Sequence, residues 1–228
     1  MTIFGFPRLA ASYFREDSQE LERNGMRTAG LAVVILVLAC ATASAQDRLD
    51  LSVSGAAVFS KSVSSTTSGL TLAPSDSGAV FGTVRYHFNH LHAAEFNVGH
   101  TVNSQIFQRP PDTFKVRTTV TEFSAAYVLT PFQGKRLQPF LFAGAGALRW
   151  YPENQYINGN SSSFGAYSQT SLAFLYGGGA DYRLWRRLGL RMQYRGLIFR
   201  APDFGVSDFF ISAKGHMAEP SVGIVVKF

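Results

Sequence analysis

From Gln46 onward, apolar and polar positions alternate with a period of two, and no stretch with the 3.6-residue period of an amphipathic helix competes with it. Successive side chains of a strand point to opposite faces, so each alternating run assigns one face to an apolar phase and the other to a polar or small one. Leu49, Leu51, Val53, Ala57 and Phe59 alternate with Asp50, Ser52, Ser54 and Ser60. Val80, Val84, Tyr86 and Phe88 oppose Thr83, Arg85 and His87, with Phe81 an apolar residue on the polar side. Ala94, Phe96 and Val98 oppose Glu95, Asn97 and Gly99, while Phe123, Ala125, Tyr127 and Leu129 oppose Glu122, Ser124 and Ala126. In 139–150, Phe140, Phe142, Gly144, Gly146, Leu148 and Trp150 form the phase with the large side chains, against Leu141, Ala143, Ala145, Ala147 and Arg149. Leu172, Phe174, Tyr176, Gly178, Ala180 and Tyr182 oppose Ala173, Leu175, Gly177, Gly179 and Asp181. Leu190, Met192, Tyr194, Gly196 and Ile198 oppose Arg191, Gln193, Arg195 and Leu197. Val222, Ile224, Val226 and Phe228 oppose Ser221, Gly223, Val225 and Lys227. Each segment approaches the roughly 9–11 residues that a tilted strand needs to cross a bilayer. The pattern predicts an all-β fold: an eight-stranded antiparallel transmembrane β-barrel, an up-and-down meander with its large apolar phase in lipid.

The connections, about 61–78, 89–92, 103–115, 130–138, 151–169, 184–188 and 200–216, alternate long and short. Outer-membrane barrels have long external loops and short periplasmic turns, so both termini are expected in the periplasm. The long segments are rich in Ser, Thr, Asn, Gly and Pro, as in Asn158-Gly159-Asn160-Ser161-Ser162-Ser163, which predicts solvated, mobile loops. Aromatics gather at strand ends, with Phe59, Trp150 and Tyr151 at one and Phe88, Phe132, Phe140, Tyr182, Trp185 and Phe228 at the other. That placement predicts two interfacial girdles.

Composition agrees with this picture. Charged residues are 16%, below the roughly 25% of a soluble domain, and mean hydropathy is only +0.05 despite 14% aromatic residues. The net charge of +6 is dispersed, without the one-sided cluster or module of a nucleic-acid binder. Residues 29–45, AGLAVVILVLACATASA, follow Arg27 and end in Ala43-Ser44-Ala45, the positive, apolar and small-x-small regions of a cleaved signal peptide. Two alternatives compete with cleavage after Ala45: Val37-Leu38-Ala39-Cys40 loosely resembles a lipoprotein box, and the run also suits an uncleaved anchor helix. Residues 1–25 carry Glu16, Asp17, Glu20 and Glu22, contrary to a positive leader. Translation is therefore expected to start at Met26, giving 1–25 as an annotation artefact, 26–45 as signal peptide and 46–228 as the barrel. The mature chain then has no cysteine and no disulfide framework.

The polar phases carry Arg85, Glu95, Glu122, Arg149, Asp181, Arg191, Arg195, Glu219 and Lys227. An eight-stranded barrel has an interior just wide enough for side chains to fill, and unpaired buried charge is costly. These residues are expected to form a lumen charge network that plugs the barrel, with Glu95 and Glu122 paired to some of Arg85, Arg191 and Arg195. A gated conduit for small solutes is the alternative.

The chain ends Ser221-Val222-Gly223-Ile224-Val225-Val226-Lys227-Phe228. This resembles the C-terminal β-signal of outer-membrane barrels, in which a polar residue, a glycine two positions on and alternating apolar residues close on a terminal Phe. The resemblance makes Ser221, Gly223, Val226 and Phe228 the candidate assembly signal, read by the barrel-assembly machinery. Together with the strand count, and with Pro139-Phe140-Leu141-Phe142-Ala143-Gly144-Ala145-Gly146, the mature chain resembles the small eight-stranded, porin-family barrels of the outer membrane. These include the transmembrane domain of outer membrane protein A and OmpX-type barrels. The resemblance implies outer-membrane lipids and lipopolysaccharide as surroundings and a monomer; no cofactor is expected, nor a peptidoglycan-binding domain after the barrel.

Chemistry is thin elsewhere. His87, His90 and His92 crowd one short turn, but a tight hairpin sends alternate residues to opposite faces, so no metal site is expected. His100 and His216 approach the outer rim, with Glu219 or Ser221 near His216 in sequence. No deacylase-type His-x-Ser-Asn run accompanies them, so an enzyme is not expected. Gly144-x-Gly146 and Gly177-Gly178-Gly179 precede no helix and read as strand packing. The expected function is structural or surface-interacting, through displayed loops whose partner the sequence does not name. The alternatives are solute transport through or beside the barrel and, third, a lipid-modifying rim enzyme.

Overall fold

The computed structural model describes residues 48–65, 69–132 and 136–228, all within the unit 46–228. The export segment, Cys40, the cleavage site at Ala45 and the proposed start at Met26 lie outside the described residues. In chain order the strands are β1 (Leu49–Ser60), β2 (Val63–Ser64), β3 (Thr71–Pro74), β4 (Ser77–His87), β5 (His92–Arg109), β6 (Asp112–Leu129), β7 (Leu137–Ile157), β8 (Asn160–Ser161), β9 (Gln169–Arg183), β10 (Leu188–Arg200) and β11 (Lys214–Lys227). The short strands β2, β3 and β8 belong to loops, and one 3-10 turn, Ser207–Phe209, interrupts the last loop.

The eight long strands pair antiparallel, each with its successor, and β11 returns to β1 from Asp50↔Lys227 to Ser60↔Met217. Closure leaves no stave with an open edge, which is the condition for backbone polar groups to be satisfied in lipid. At the closing seam the pairing skips Ala57 and Val58, opposite Glu219 and Pro220, because proline has no N–H to give the ladder. Gly223 sits on the same seam, where a Cβ would overlap the Val53 carbonyl and the Ser54 hydroxyl. Outward positions form an apolar belt that includes Val53, Val80, Phe96, Phe123, Leu141, Leu172, Met192 and Ile224. So large a continuous apolar surface is abnormal facing water and natural facing lipid.

Three expectations are corrected. The first is the phase of β7. Residues paired across an antiparallel ladder share a face, and Glu122 pairs with Leu148 while Val120 pairs with Trp150. Since β6 turns Glu122 inward, Phe140, Phe142, Leu148 and Trp150 are buried inside the barrel, and Arg149 is exposed outside over the Tyr151 ring. The lipid face of β7 is the small phase, Leu141, Ala143, Ala145 and Ala147. Trp150 and Phe140 therefore leave the girdles, whereas Phe59, Tyr151, Phe88, Phe132, Tyr182 and Trp185 stay at the surface.

The second correction concerns loop length. Residues 103–109 and 112–115 continue β5 and β6 as a ladder down to Arg109↔Asp112, and residues 151–157 continue β7. These stretches are mostly polar on their outward face, with Ile106, Tyr151 and Tyr156 as exceptions, because they rise beyond the apolar belt. A criterion of apolar alternation misses them, although backbone pairing does not require it. The third correction is to the picture of solvated loops. Leu70, Leu72, Phe107, Val116, Phe204, Phe209 and Ile211 are buried in one apolar cluster that draws in Val63, Phe114, Phe164, Ala166 and Val206.

Candidate functional site

The barrel axis carries three stacked layers. Nearest the termini, β4, β5, β9, β10, β1 and β11 converge their inward charges. Arg85 donates from Nε and Nη2 to Glu95 Oε2 at 2.8 and 2.6 Å. Arg191 donates to both oxygens of Asp181 at 2.7 and 2.9 Å, the bidentate fork that suits a guanidinium. Arg191 also lies 3.7 Å from Glu95 and from Asp50, and Lys227 lies 3.3 Å from Asp181 while donating to Gln138 at 2.7 Å. His87 donates to Asp50 at 2.8 Å. Phe140 forms the floor, with the Arg85 guanidinium 4.1 Å and that of Arg191 5.3 Å from its ring centre. Above these, Arg195 pairs with Glu122, lies 3.7 Å from Glu219 and covers Phe81 at 4.1 Å. Ser124 donates to Glu122 at 2.7 Å and Thr83 donates to Asn97 at 2.7 Å.

The middle layer is apolar: Val58, Val120, Leu148, Trp150, Leu175, Leu197, Phe199 and Met217 are all buried. Glycines make room for its rings and those below. A Cβ at Gly99 would overlap the Phe81 ring, one at Gly177 would lie 2.5 Å from Phe142 Cζ, and one at Gly215 would lie 2.9 Å from Phe199. The third layer is the loop dome. Phe107 stacks on Phe209 at 4.2 Å, and Phe114 and Phe164 meet Phe209 at 5.2 and 5.4 Å. Gln155 and Gln169 act as splints. Gln155 Oε1 accepts from the Phe164 and Ala166 amides, and Gln169 Oε1 accepts from those of Asp203 and Phe204. The second splint holds Phe204 at φ 53°, in the left-handed region unusual for a bulky residue.

The structure thus brings together Arg85, Glu95, Asp181, Arg191 and Lys227, and separately Glu122, Arg195 and Glu219. Arg149 belongs to neither. Asp50, His87 and Gln138 join the first group though absent from the sequence-derived set. Asp50 and His87 were visible at inward parity, but their convergence depends on β1 lying between β4 and β11. Of the apolar middle layer, Leu175 and Leu197 were visible at inward parity, whereas Leu148 and Trp150 looked like lipid-facing residues and Val58, Val120, Phe199 and Met217 were not assigned to either face.

The histidines diverge. His87 turns inward, His92 lies outside within 2.5 Å of the Tyr127 hydroxyl, and no group of three metal-ligating side chains occurs among the described residues. His216 faces outward onto the Tyr176 hydroxyl at 2.8 Å, whereas Glu219 and Ser221 are buried inside the barrel. The sequence proximity of His216 to Glu219 and Ser221 is therefore not a spatial one. Of the candidate assembly signal, Ser221 and Gly223 take the inward phase, Val226 pairs with Leu51 and Leu188, and Phe228 exchanges backbone hydrogen bonds with Leu49.

A family model described as the outer membrane protein beta-barrel domain matches residues 30–216. No curated protein matches the chain. Among solved structures, the outer membrane protein OprG of Pseudomonas aeruginosa is 14% identical, with a TM-score of 0.53, over 80% of this chain and 97% of that one. Neisserial surface protein A is 19% identical, with a TM-score of 0.48, over 78% and 97%. The attachment invasion locus protein of Yersinia pestis is 13% identical, with a TM-score of 0.44, over 79% and 99%. At these identities the likeness is one of fold.

Proposed function

Since the chain belongs to the outer membrane protein beta-barrel domain family, we propose that it serves as a sealed anchor that holds a pre-folded loop platform at the outer surface, where the platform contacts other molecules. The observation that carries this reading is the continuous filling of the axis: ion pairs, then an apolar layer, then an aromatic dome. A barrel built to pass solutes would leave water along its axis, whereas eight strands leave only enough room for side chains. The ordered dome favours a binding surface, because a platform fixed before contact avoids the entropy of ordering loops on binding.

In this reading both termini lie in the periplasm and the dome faces outward, since the longer connections 61–76, 158–168 and 201–213 share the dome's end. Lipopolysaccharide surrounds the outward rim, and the seam residues Ser221, Gly223, Val226 and Phe228 present the last strand to the assembly machinery. No catalytic step is assigned to it.

The test is planar-bilayer recording together with surface binding. The sealed anchor predicts no steady conductance from the wild-type protein, and binding of cells or matrix that is lost when 201–213 is replaced by a short Gly-Ser turn while the heat-dependent gel shift of the barrel persists. Steady, reproducible conductance from the folded wild-type protein overturns the reading in favour of transport.

A further inference from the structure

Charge is distributed unequally between the two ends of the barrel. At the dome end, cations stand among the acids Asp76, Asp112, Glu153, Asp203 and Asp208: Arg117 lies 3.3 Å from Glu153 and Arg109 lies 3.8 Å from Asp208, while Lys61, Lys115, Arg149, Arg200 and Lys214 are exposed without an ion pair among the described residues. At the terminal end, Arg48, Arg136, Arg183, Arg186 and Arg187 are exposed, and none has an ion-pair partner among the described residues. The turns there, 88–91, 130–136 and 184–187, contain no Asp or Glu. Among the described residues, the side-chain carboxylates nearest the mouth, Asp50 and Asp181, are buried and already engaged by His87, Arg191 and Lys227. Large apolar side chains interleave with these arginines. Phe88, Phe132, Leu184 and Trp185 all stand exposed, Trp185 at 72% and Phe132 at 71%. The turn Leu184-Trp185-Arg186-Arg187 puts two apolar and two cationic side chains on four consecutive residues.

We propose that this collar of arginines and aromatics at the terminal end binds the phosphate groups of anionic phospholipids in the adjacent leaflet. Two features select this partner. Guanidinium forks match phosphate oxygens and stay charged at any physiological pH. Exposed Trp and Phe at the same level insert between headgroup and acyl chain, which a soluble polyanion would leave in water. The collar departs from the dispersed charge of the rest of the chain and uses none of the lumen residues. It therefore stands independently of the surface role proposed above, and the proposed orientation decides only which leaflet it meets.

Brominated-lipid quenching of tryptophan tests this directly. Trp150 is buried in the lumen and Trp185 is exposed at the collar, so quenching reports the lipid beside Trp185. In vesicles of phosphatidylcholine and phosphatidylglycerol, the full-length folded protein is expected to prefer brominated phosphatidylglycerol. Each arginine at the headgroup contributes about fivefold, a figure set by the usual attraction of a surface cation to an anionic leaflet, and the preference weakens as salt rises. R136Q/R186Q/R187Q is expected to lose at least tenfold of it while keeping the gel shift, and R149Q/K214Q at the dome end to lose none. Equal quenching by both lipids in the wild type, or a preference intact in the triple variant, overturns the proposal. Abolition of the preference by millimolar inorganic phosphate assigns the collar to free phosphate instead. Arginine-dependent co-sedimentation with purified cell wall, without any lipid preference, assigns it to that polymer.

Discussion

Arg85 and Glu95 face each other directly in the β4–β5 ladder, a contact as local as that of Arg191 with Asp181. In R85M, the Glu95 carboxylate loses two charge-assisted hydrogen bonds of 2.8 and 2.6 Å, and Asp181 loses a cation at 3.8 Å. Removing one partner of a buried pair costs about 3–5 kcal/mol, because the other charge stays desolvated. Arg191 remains 3.7 Å from Glu95. At an effective dielectric constant of about 20 this retains roughly 4 kcal/mol of gross attraction, so the loss falls near the lower bound, about 3 kcal/mol. Adding E95Q removes the stranded charge and keeps a hydrogen-bonding side chain, and R85M/E95Q is expected to recover about 2 kcal/mol relative to R85M. Urea titration in lipid vesicles, followed by tryptophan emission and by the mobility of unheated samples, measures all corners of the cycle. A loss below about 1 kcal/mol in R85M, or a double variant less stable than R85M, refutes the idea that lumen pairs are held by mutual neutralisation.

Three further outcomes follow from the packing. R149L is expected to change stability by less than about 1 kcal/mol, since an Arg near the rim of a lipid face contributes little, and a loss of several kcal/mol on urea titration would return Arg149 to the lumen. F209A removes the ring on which Phe107, Phe114 and Phe164 converge and is expected to cost about 3–5 kcal/mol within the dome. Limited proteolysis in 201–213 should then rise severalfold with the barrel's gel shift unchanged, and an unaltered cleavage pattern would contradict the dome. G223V forces a branched side chain into the Val53 carbonyl at the closing seam, and refolding yield judged by gel shift should fall severalfold, whereas near-wild-type yield would show that the seam tolerates widening.

The alternation of side chains was enough to establish strands, their number, the lipid-facing belt and the inward parity of Glu95, Glu122, Asp181, Arg191 and Arg195. Period two is a property of the single strand, imposed by backbone geometry before any partner is present. It does not say which phase of a strand faces the lumen when both are apolar. In 139–150 the larger side chains were assigned to lipid, and only the β6–β7 register, through Glu122↔Leu148, shows that they fill the interior. Pairing also decided that Asp50 meets His87, Arg191 and Lys227, since residues far apart in sequence converge only when β11 closes onto β1. The dome was least legible of all. Phe107, Phe114, Phe164 and Phe209 are scattered through polar segments with no shared period. Their burial arises only after the barrel has fixed the ends of the loops that carry them. What the sequence determined by itself is therefore what one strand decides alone, and what the tertiary structure decided is which strands and loops stand beside it.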